Sequence, residues 1–339
     1  MIDQALKKVA ARQDLSREEM AQAMEEIADG TATPAQIGAL LVGLRVKGET
    51  AEEILGAAQT MRARVDRVAV SREVFVDTCG TGGDGRSTFN ISTAAAFVVA
   101  GAGVTVAKHG NRAVSSRCGS ADVLVELGVN VDAPKAVVER CIGEVGIGFL
   151  FAPRLHPAFK AAAAIRRELG LRTVFNLLGP LANPALARHQ VMGVFDGQWV
   201  PVLGKVLAAL GSRRAFVVHG SGLDEISTAG PTQVAEVRGE SVETYEISPE
   251  SLGLERSAPE AITGGDAAHN ARMIRDVLGG QEGPAADAVL ANAAAALVAG
   301  GAAETLREGV VVARTSISSG AAAGKLEALA KASSEGAAG

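Results

Sequence analysis

The densest group of residues that could bind a ligand is a glycine-rich stretch between a predicted strand and a predicted helix. This glycine loop, residues 77–93, reads DTCGTGGDGRSTFNIST. Glycines let the backbone approach an anion closely, and the N-terminus of the following helix adds free N–H groups and a positive dipole end. Further hydroxyl and amide donors near the helix start are Thr88, Asn90, Ser92 and Thr93. An ordinary glycine-rich turn is the alternative, but so many polar donors favour an anion site.

Two better-known motifs also match the glycine loop, although neither match is complete. Residues 80–85 fit the GxGxxG dinucleotide fingerprint, which further requires an acidic residue at the end of the next strand. The next predicted strand is followed by Lys108 and His109 instead. The same stretch is close to a P-loop, but Arg86 stands where the lysine that reaches the terminal phosphates is needed.

A second loop, residues 108–120, follows the next predicted strand and reads KHGNRAVSSRCGS. It combines three cationic residues with three serines, which is a composition suited to phosphate: a point charge from Lys108, planar forks from Arg112 or Arg117, and hydroxyl donors. A solvated basic loop is the alternative interpretation. Because two strand ends in succession carry anion-binding groups, we predict a ligand with more than one phosphate group.

An acidic loop, residues 219–225, follows a later predicted strand and ends in Asp224 and Glu225. Paired carboxylates at a strand end can hold Mg²⁺, which prefers oxygen ligands and keeps several waters beside substrate phosphates. Such pairs are also common on solvated surfaces, and in isolation that interpretation would be favoured. Together with a phosphate site, the pair indicates a metal held jointly by protein and ligand.

The elements that position these loops change character along the chain. Up to about residue 65 the sequence is helical, with capping boxes at Ser16–Glu19 and Thr50–Glu53. From Val74 onward, short apolar runs alternate with helical segments, which predicts an α/β fold with a mostly parallel sheet covered by helices on both faces. We therefore expect a small N-terminal helical domain, residues 1–66, and a larger α/β domain, residues 74–339. Helices from about 160–185 are expected to join the helical domain.

Composition narrows the class of protein. The 339 residues are 47% hydrophobic and carry a formal net charge of −5, so neither the basic stripe of a nucleic-acid-binding protein nor an apolar run long enough to span a membrane is present. The first residues lack the apolar segment of a signal peptide. Three cysteines without a CxxC pair fit a reducing compartment. We expect a cytoplasmic protein with no nucleic-acid or membrane partner.

The three loops, together with other segments in the same order, resemble the anthranilate phosphoribosyltransferase family. The resemblance covers most of the chain and is specific because so many motifs recur together. The segments that carry it are GTGGD at 80–84, TFNIST at 88–93, KHGNRAVSS at 108–116, GSAD at 119–122, FLFA at 149–152, HPA at 156–158, FNLLGPLANP at 175–184 and GLDEI at 222–226.

The resemblance implies a phosphoribosyltransferase fold of two domains, and it implies particular binding residues. Mg²⁺ would be held by Ser92, Asp224 and Glu225, and anthranilate by Gly80, Asn111 and Arg166. Pro153, His156 and Phe159 would lie near the anthranilate. Phosphoribosyl pyrophosphate (PRPP) would be bound by Gly80, Gly83, Asp84, Thr88, Asn90, Ile91, Ser92, Thr93, Lys108, His109, Gly110, Asn111, Arg112, Ala113, Val114, Ser115, Ser116 and Ser120.

The activity that the resemblance implies is transfer of the phosphoribosyl group from PRPP to the amine of anthranilate, a step of tryptophan biosynthesis, by a homodimer that associates through its helical domain. Three other interpretations stay open from the sequence. A pyrimidine nucleoside phosphorylase shares the two-domain fold, a dinucleotide-dependent oxidoreductase would explain the GxGxxG match, and a non-catalytic relative could bind phosphorylated ligands.

Overall fold

A computed structural model gives the fold and describes residues 1–113 and 117–335. The described residues form fifteen α-helices and seven β-strands. The helices are α1 Ile2–Ala10, α2 Arg17–Ala28, α3 Pro34–Lys47, α4 Ala51–Ala63, α5 Ile91–Gly101, α6 Ser120–Glu126, α7 Lys135–Arg140, α8 Ala152–Leu155, α9 Lys160–Leu169, α10 Val174–Leu181, α11 Trp199–Ala209, α12 Ala267–Leu278, α13 Pro284–Ala299, α14 Leu306–Ser318 and α15 Ala321–Ser334. The strands are β1 Phe75–Gly80, β2 Thr105–Gly110, β3 Ile147–Phe151, β4 His189–Gly193, β5 Arg214–Gly220, β6 Thr232–Arg238 and β7 Ser241–Ile247.

Helices α2, α3 and α4 each begin at a residue whose side chain satisfies a free backbone amide of the first turn. Ser16 caps α2 and Thr50 caps α4, each through a reciprocal capping box with the glutamate three residues later. Thr33 caps α3, with Pro34 in its first turn. These helices share one apolar core with Ala162 of α9, Val174 of α10 and Phe159, which directly precedes α9.

All seven strands form one mixed sheet in the order β3-β2-β1-β4-β5-β6-β7. The first five strands of that order are parallel, while β6 and β7 run antiparallel at one edge. The α/β class with a mostly parallel sheet is thus confirmed. Since the carboxyl ends of parallel strands share an edge, the loops after β1, β2, β4 and β5 meet at one place.

Each face of the sheet has its own apolar core. Helices α5, α12, α13, α14 and α15 cover one face, where Phe216 and Val218 point into the core. Helix α11 covers the other face, where Ala215 and Val217 point, and that core continues without a break into the N-terminal helices. The alternation along β5 is what a strand buried on both faces requires.

The structure differs from the sequence prediction at two places on the site edge. Strand β4, which was not predicted, lies in the middle of the sheet between β1 and β5. Lys108 and His109, predicted to lie on the second loop, are residues of β2 itself, and the loop proper begins after Gly110. Within residues 1–113 and 117–335, no helix combines the length and apolar character needed to cross a membrane.

Candidate active site

One cavity of about 290 Å³ opens at the carboxyl ends of the parallel strands. This volume is close to the lower end of small-ligand cavities, roughly 300 Å³. The cavity is lined by the three loops and by residues of α9 and α10. Its lining comprises Cys79, Gly80, Thr81, Gly82, Gly83, Asp84, Ser87, Thr88, Phe89, Asn90, Ser92, Thr93, Lys108, His109, Gly110, Asn111, Arg112, Ala113, Cys118, Gly119, Ser120, Ala152, Arg166, Phe175, Asn176, Gly179, Pro180, Asp224 and Glu225.

The two carboxylates of the acidic loop are held by backbone amides of the glycine loop. An oxygen of Asp224, Oδ2, accepts a hydrogen bond from the Gly82 amide at 2.7 Å. Oε1 of Glu225 accepts from the Ser92 amide at 3.1 Å, in the first turn of α5. The helix N-terminus therefore faces Glu225 with its positive dipole end, and both carboxylates point at the loop that was predicted to bind phosphate.

Glycines at two strand ends let the acidic loop lie directly over the sheet. A Cβ atom at Gly193 would overlap the backbone carbonyl of Asp224, and one at Gly80 would overlap the Asp224 carboxylate. Neither glycine has a left-handed backbone, so the requirement is for space and not for conformation. Strand β4, which supplies Gly193, thereby sets the height of the acidic pair above the sheet.

Replacing Gly193 with alanine should lower the free energy of unfolding by about 1–3 kcal/mol, the usual cost of forcing a methyl group into packed atoms. Urea denaturation checks this. The matched control is Gly324→Ala in α15, where an added Cβ meets nothing within 4 Å. Equal stability of the two variants would show that the packing of the acidic loop does not require a glycine at the end of β4.

Burial raises the affinity of both acidic side chains for protons. Asp224 and Glu225 keep some exposure toward the cavity but lie deep among protein atoms. Burial, and after it the neighbouring Asp84 carboxylate, raises the pKa of Asp224 to about 7. Burial, and after it the charge of Asp224, raises the pKa of Glu225 to about 8. A cation bound between the two carboxylates would offset their mutual repulsion and favour their charged forms.

Lys108 provides a buried positive charge beneath the glycine loop. Its ammonium donates to the Thr78 carbonyl and lies 3.4 Å from Oγ of Ser92. Burial lowers the pKa of Lys108, and the nearby charge of buried Asp77 opposes that shift. Asp77 accepts from the His109 amide at 3.0 Å and from the Asn183 side chain at 2.8 Å. Lys108 is therefore fixed in the strand layer, where it attracts anions at long range without a mobile side chain.

Asp122 fastens the second loop to the start of α6. Its Oδ2 accepts from the amides of Ala113 and Gly119, each at 2.9 Å, and its Oδ1 lies 3.2 Å from the Arg112 guanidinium. Arg112 also lies over the Phe151 ring, 5.7 Å from its centroid. Arg112 lines the cavity, but part of its planar fork is already used by Asp122.

Arg166 reaches the cavity from α9. Its guanidinium lies 5.4 Å from the centroid of the Phe175 ring, and burial lowers its pKa. No ion pair or hydrogen bond joins this guanidinium to another residue of the described ranges. A half-buried arginine without an anionic partner, beside an aromatic ring, fits a planar carboxylate ligand.

Two buried histidines form a hydrogen-bonded pair, with His109 in the cavity wall and His156 behind it. Nδ1 of His109 lies 3.1 Å from the Gly179 carbonyl, and its Nε2 lies 3.3 Å from Nε2 of His156. A carbonyl oxygen only accepts, so His109 carries its proton on Nδ1 and its Nε2 accepts from His156. Burial lowers the pKa of His109 to about 3 and that of His156 to about 4. Both imidazoles are neutral at physiological pH.

The neutral pair makes the fold sensitive to acid. Below the ordinary histidine pKa, the unfolded chain binds protons at these two imidazoles but the folded protein does not. The free energy of unfolding therefore falls as the pH drops from about 6.5 toward 4. When the pH is lowered from about 7.5 to about 5, the free energy of unfolding should therefore fall by about 2 kcal/mol less in His156→Gln than in the parent. Urea denaturation at both pH values measures the difference. The control is the exposed His269→Gln, and identical pH dependence in parent and His156→Gln would contradict the pairing.

The structure brings most of the predicted site residues together. Those that line the cavity are Gly80, Gly83, Asp84, Thr88, Asn90, Ser92, Thr93, Lys108, His109, Gly110, Asn111, Arg112, Ala113, Ser120, Arg166, Asp224 and Glu225. Ile91 does not line it, because its side chain lies in the apolar core under α5. Val114, Ser115 and Ser116 lie outside the described residues.

The three residues predicted to lie near anthranilate are placed behind the wall or outside it. Pro153 is exposed on α8, and His156 contacts His109 from behind. Phe159 packs edge-on against Phe175, with ring centroids 6.1 Å apart. Phe175 itself lines the cavity, so Phe159 supports the wall through this neighbour.

Sequence reasoning missed the wall formed by α10. Asn176, Gly179 and Pro180 line the cavity together with Phe175. They belong to the FNLLGPLANP segment at 175–184, which carried the family resemblance without an assigned role. A helix that breaks its pattern with Gly-Pro was the available signal, because such a break exposes backbone carbonyls near its end.

Comparison with known proteins gives the family. The model of the glycosyl transferase family's helical bundle domain matches residues 3–65, and that of its a/b domain matches residues 72–323. A protein of Anaeromyxobacter sp. (strain Fw109-5) named anthranilate phosphoribosyltransferase is 68% identical over 329 residues, covering 97% of this chain and 98% of its own.

Solved structures agree with the sequence match. Anthranilate phosphoribosyltransferase from Thermus thermophilus superposes with a TM-score of 0.92 at 44% identity, covering 97% of this chain and 99% of its own. The Saccharomyces cerevisiae enzyme in complex with PRPP and Mg gives 0.87 at 30% identity, covering 98% of both chains. With both domain models matched in order and such identity over nearly the full length, the chain belongs to the glycosyl transferase family and, within it, to the anthranilate phosphoribosyltransferases.

Proposed function

We propose that this chain transfers the phosphoribosyl group of PRPP to the amine of anthranilate and releases pyrophosphate. A bond forms between the amine nitrogen and the anomeric carbon, the bond from that carbon to the diphosphate breaks, and the amine gives up a proton. The observation that carries the proposal is one cavity that is lined by the glycine loop, the second loop, the acidic pair and Arg166. A donor with two phosphorylated ends fits the two loops, and a planar carboxylate acceptor fits Arg166.

The donor side follows from the chemistry of the loops. Backbone amides of the glycine loop, the hydroxyls of Thr88 and Thr93 and the buried charge of Lys108 are the groups that phosphate oxygens accept from. Oγ1 of Thr93 is buried and has no hydrogen-bond partner within the described residues. We assign the diphosphate to the glycine loop and acidic loop, and the remaining phosphate to the second loop.

The residues around the acidic pair fit Mg²⁺. Asp224, Glu225 and the Ser92 hydroxyl offer oxygen ligands, and Oδ2 of nearby Asp84 is buried without a hydrogen-bond partner within the described residues. No group of three or more His, Cys, Asp or Glu side chains suited to a metal occurs in the described ranges. This suits an ion held by one or two carboxylates plus substrate phosphates. When bound, Mg²⁺ would neutralise charge on the departing diphosphate.

The chain's own residues act by binding and positioning. Amides and hydroxyls of the glycine loop stabilise the charge that develops on the diphosphate. Arg166 and the aromatic face of Phe175 hold the acceptor so that its amine faces the anomeric carbon. An aromatic amine is unprotonated at neutral pH, so no strong base is required, and we assign none. His109, which lines the cavity, and His156 behind it are held as a neutral pair.

The wider assembly is proposed on the same basis. We divide the chain into a helical unit, residues 1–66 joined by α9 and α10, and an α/β unit, residues 74–339. Met1 and Val46, exposed apolar side chains of the helical unit, support a homodimer that associates through this unit in the cytoplasm. Sedimentation equilibrium tests the dimer, and a monomer at all concentrations would contradict it.

The test of the reaction uses the fluorescence of anthranilate, which is lost when its amine is glycosylated. Fluorescence should fall only when enzyme, PRPP and Mg²⁺ are all present, with pyrophosphate released in equal amount. Omitting each component in turn supplies the controls. Phosphate-dependent cleavage of thymidine, with no loss of anthranilate fluorescence, would instead identify a nucleoside phosphorylase.

A further inference from the structure

A segment far along the chain braces the glycine loop from outside the cavity. The Phe89 amide donates to the Ile262 carbonyl at 3.1 Å, and the Gly264 amide donates to the Ser87 carbonyl at 2.8 Å. Thr88 and Thr263 form an antiparallel bridge between these two bonds. Ser87 has a positive φ of 52°, an unusual conformation for a serine that its surroundings must maintain. The brace, residues 262–265, therefore fixes the part of the loop that carries Thr88 and Asn90.

Asn270, on α12, connects this brace to both donor loops through one fully buried amide. Its Oδ1 accepts from the Gly265 amide at 2.7 Å, and its Nδ2 donates to Oδ1 of Asn90 at 2.9 Å. The side chain is 1% exposed. Substituting this buried side chain therefore removes hydrogen bonds from two half-buried partners, the Gly265 amide and the Asn90 side chain.

The Asn270 bond dictates which way the Asn90 amide faces. Because Oδ1 of Asn90 accepts from Asn270, its Nδ2 points the other way and donates to the Cys118 carbonyl at 3.2 Å. Cys118 belongs to the second loop, next to Gly119, whose amide is anchored by Asp122. A continuous chain of bonds thus runs from the brace through Asn270 and Asn90 to the second loop.

We propose that Asn270 is a positioning residue for the phosphoribosyl donor: it sets the spacing of the glycine loop and the second loop so that both engage one PRPP molecule. The inference rests on the proposed function. Gly264 belongs to the same device, since a Cβ there would lie 2.8 Å from Oδ1 of Asn270 and 2.7 Å from the Phe89 nitrogen. Asn270 and Gly264 do not line the cavity, so they act only through the loops.

The test compares Asn270→Ala and Gly264→Ala with the control Gly324→Ala in α15. An added Cβ at Gly324 meets nothing within 4 Å, and Gly324 has no part in the brace. Both test variants should raise the KM for PRPP about tenfold, the factor for one lost buried hydrogen bond. Their KM for anthranilate and their kcat at saturating PRPP should stay within about threefold of the parent, as for lost ground-state binding. The control should keep the parent KM for PRPP.

The outcomes separate this inference from the proposed function. A parent protein that does not consume anthranilate with PRPP and Mg²⁺ contradicts the function itself. An active parent whose two test variants keep the parent KM for PRPP, or lose kcat with both KM values unchanged, overturns the role of Asn270, because a merely structural defect reduces the active fraction. If Asn270→Ala is recovered only unfolded by circular dichroism, Gly264→Ala decides the question by the same criteria.

Discussion

The double variant Asp224→Asn with Glu225→Gln is expected to lose about a thousandfold or more in kcat, because transition-state charge stabilisation of this kind is worth factors of that order. The amides keep the size of the carboxylates, and the Gly82 and Ser92 amides still find oxygen acceptors. What disappears is the negative charge that would hold the cation against the diphosphate. Steady-state turnover over a range of Mg²⁺ concentrations measures the loss, and added Mg²⁺ should not restore it.

The control for this variant removes the same number of carboxylates elsewhere. Glu243→Gln with Glu246→Gln changes two exposed residues of β7, and its turnover should match that of the parent. Circular dichroism and thermal unfolding of both double variants establish that they are folded. Turnover of Asp224→Asn with Glu225→Gln near the parent value at ordinary Mg²⁺ would remove the acidic pair from the metal site.

Stability of the metal-free protein gives an independent check, and the sign follows from the pKa values. Both acids have a raised pKa in the fold, about 7 for Asp224 and about 8 for Glu225, against about 4 in an unfolded chain. The fold therefore holds extra protons between these limits, and its stability falls as pH rises through them. The variant Asp224→Asn with Glu225→Gln has no titrating group at these positions and does not lose this stability. Without metal it should therefore be more stable than the parent above about pH 8 and about as stable near pH 4.

Much of the site could be predicted because most of its polar residues lie in a few contiguous segments of the sequence. The glycine loop, the second loop and the acidic loop each follow a strand, and parallel strands bring their carboxyl ends together. The capping boxes at Ser16 and Thr50 marked helix starts that the structure shows. For Asp224 and Glu225, residue type and local position were enough to predict side chains that line the cavity.

The rest depended on contacts between distant segments. Strand β4, His-Gln-Val-Met-Gly, has neither a β-branched run nor alternation, so it gave no local signal, although the sheet places it centrally. Lys108 was predicted on a loop because it follows the apolar run of the strand, but it lies in β2, close to buried Asp77. Asn270 is separated from Asn90 by 180 residues, and no spacing rule connects them. Pairing across the fold, and not residue type, decided these roles.

Substituting Arg166 with alanine should chiefly raise the KM for anthranilate, by about 50-fold, the value of a charge-assisted hydrogen bond to a carboxylate. The KM for PRPP should stay near that of the parent, since Arg166 lies on α9 and not on any of the donor loops. Arg167 is the matched control, because it is the next residue of α9, carries the same charge and is exposed. Arg167→Ala should keep both KM values, and an unchanged KM for anthranilate in Arg166→Ala would exclude Arg166 from the acceptor site.

An acceptor without a carboxylate separates direct recognition by Arg166 from a general disturbance of the wall. The guanidinium lies over the Phe175 ring, so its removal also disturbs an aromatic surface that any aniline would touch. If Arg166 binds the carboxylate, aniline should be a poor acceptor for the parent and equally poor for Arg166→Ala, because the partner group is absent in both cases. The KM for anthranilate of Arg166→Lys should lie between those of the parent and Arg166→Ala, because lysine keeps the charge but lacks the planar fork. If Arg166→Ala raised the KM for aniline by as large a factor as the KM for anthranilate, Arg166 would only support the structure of the wall.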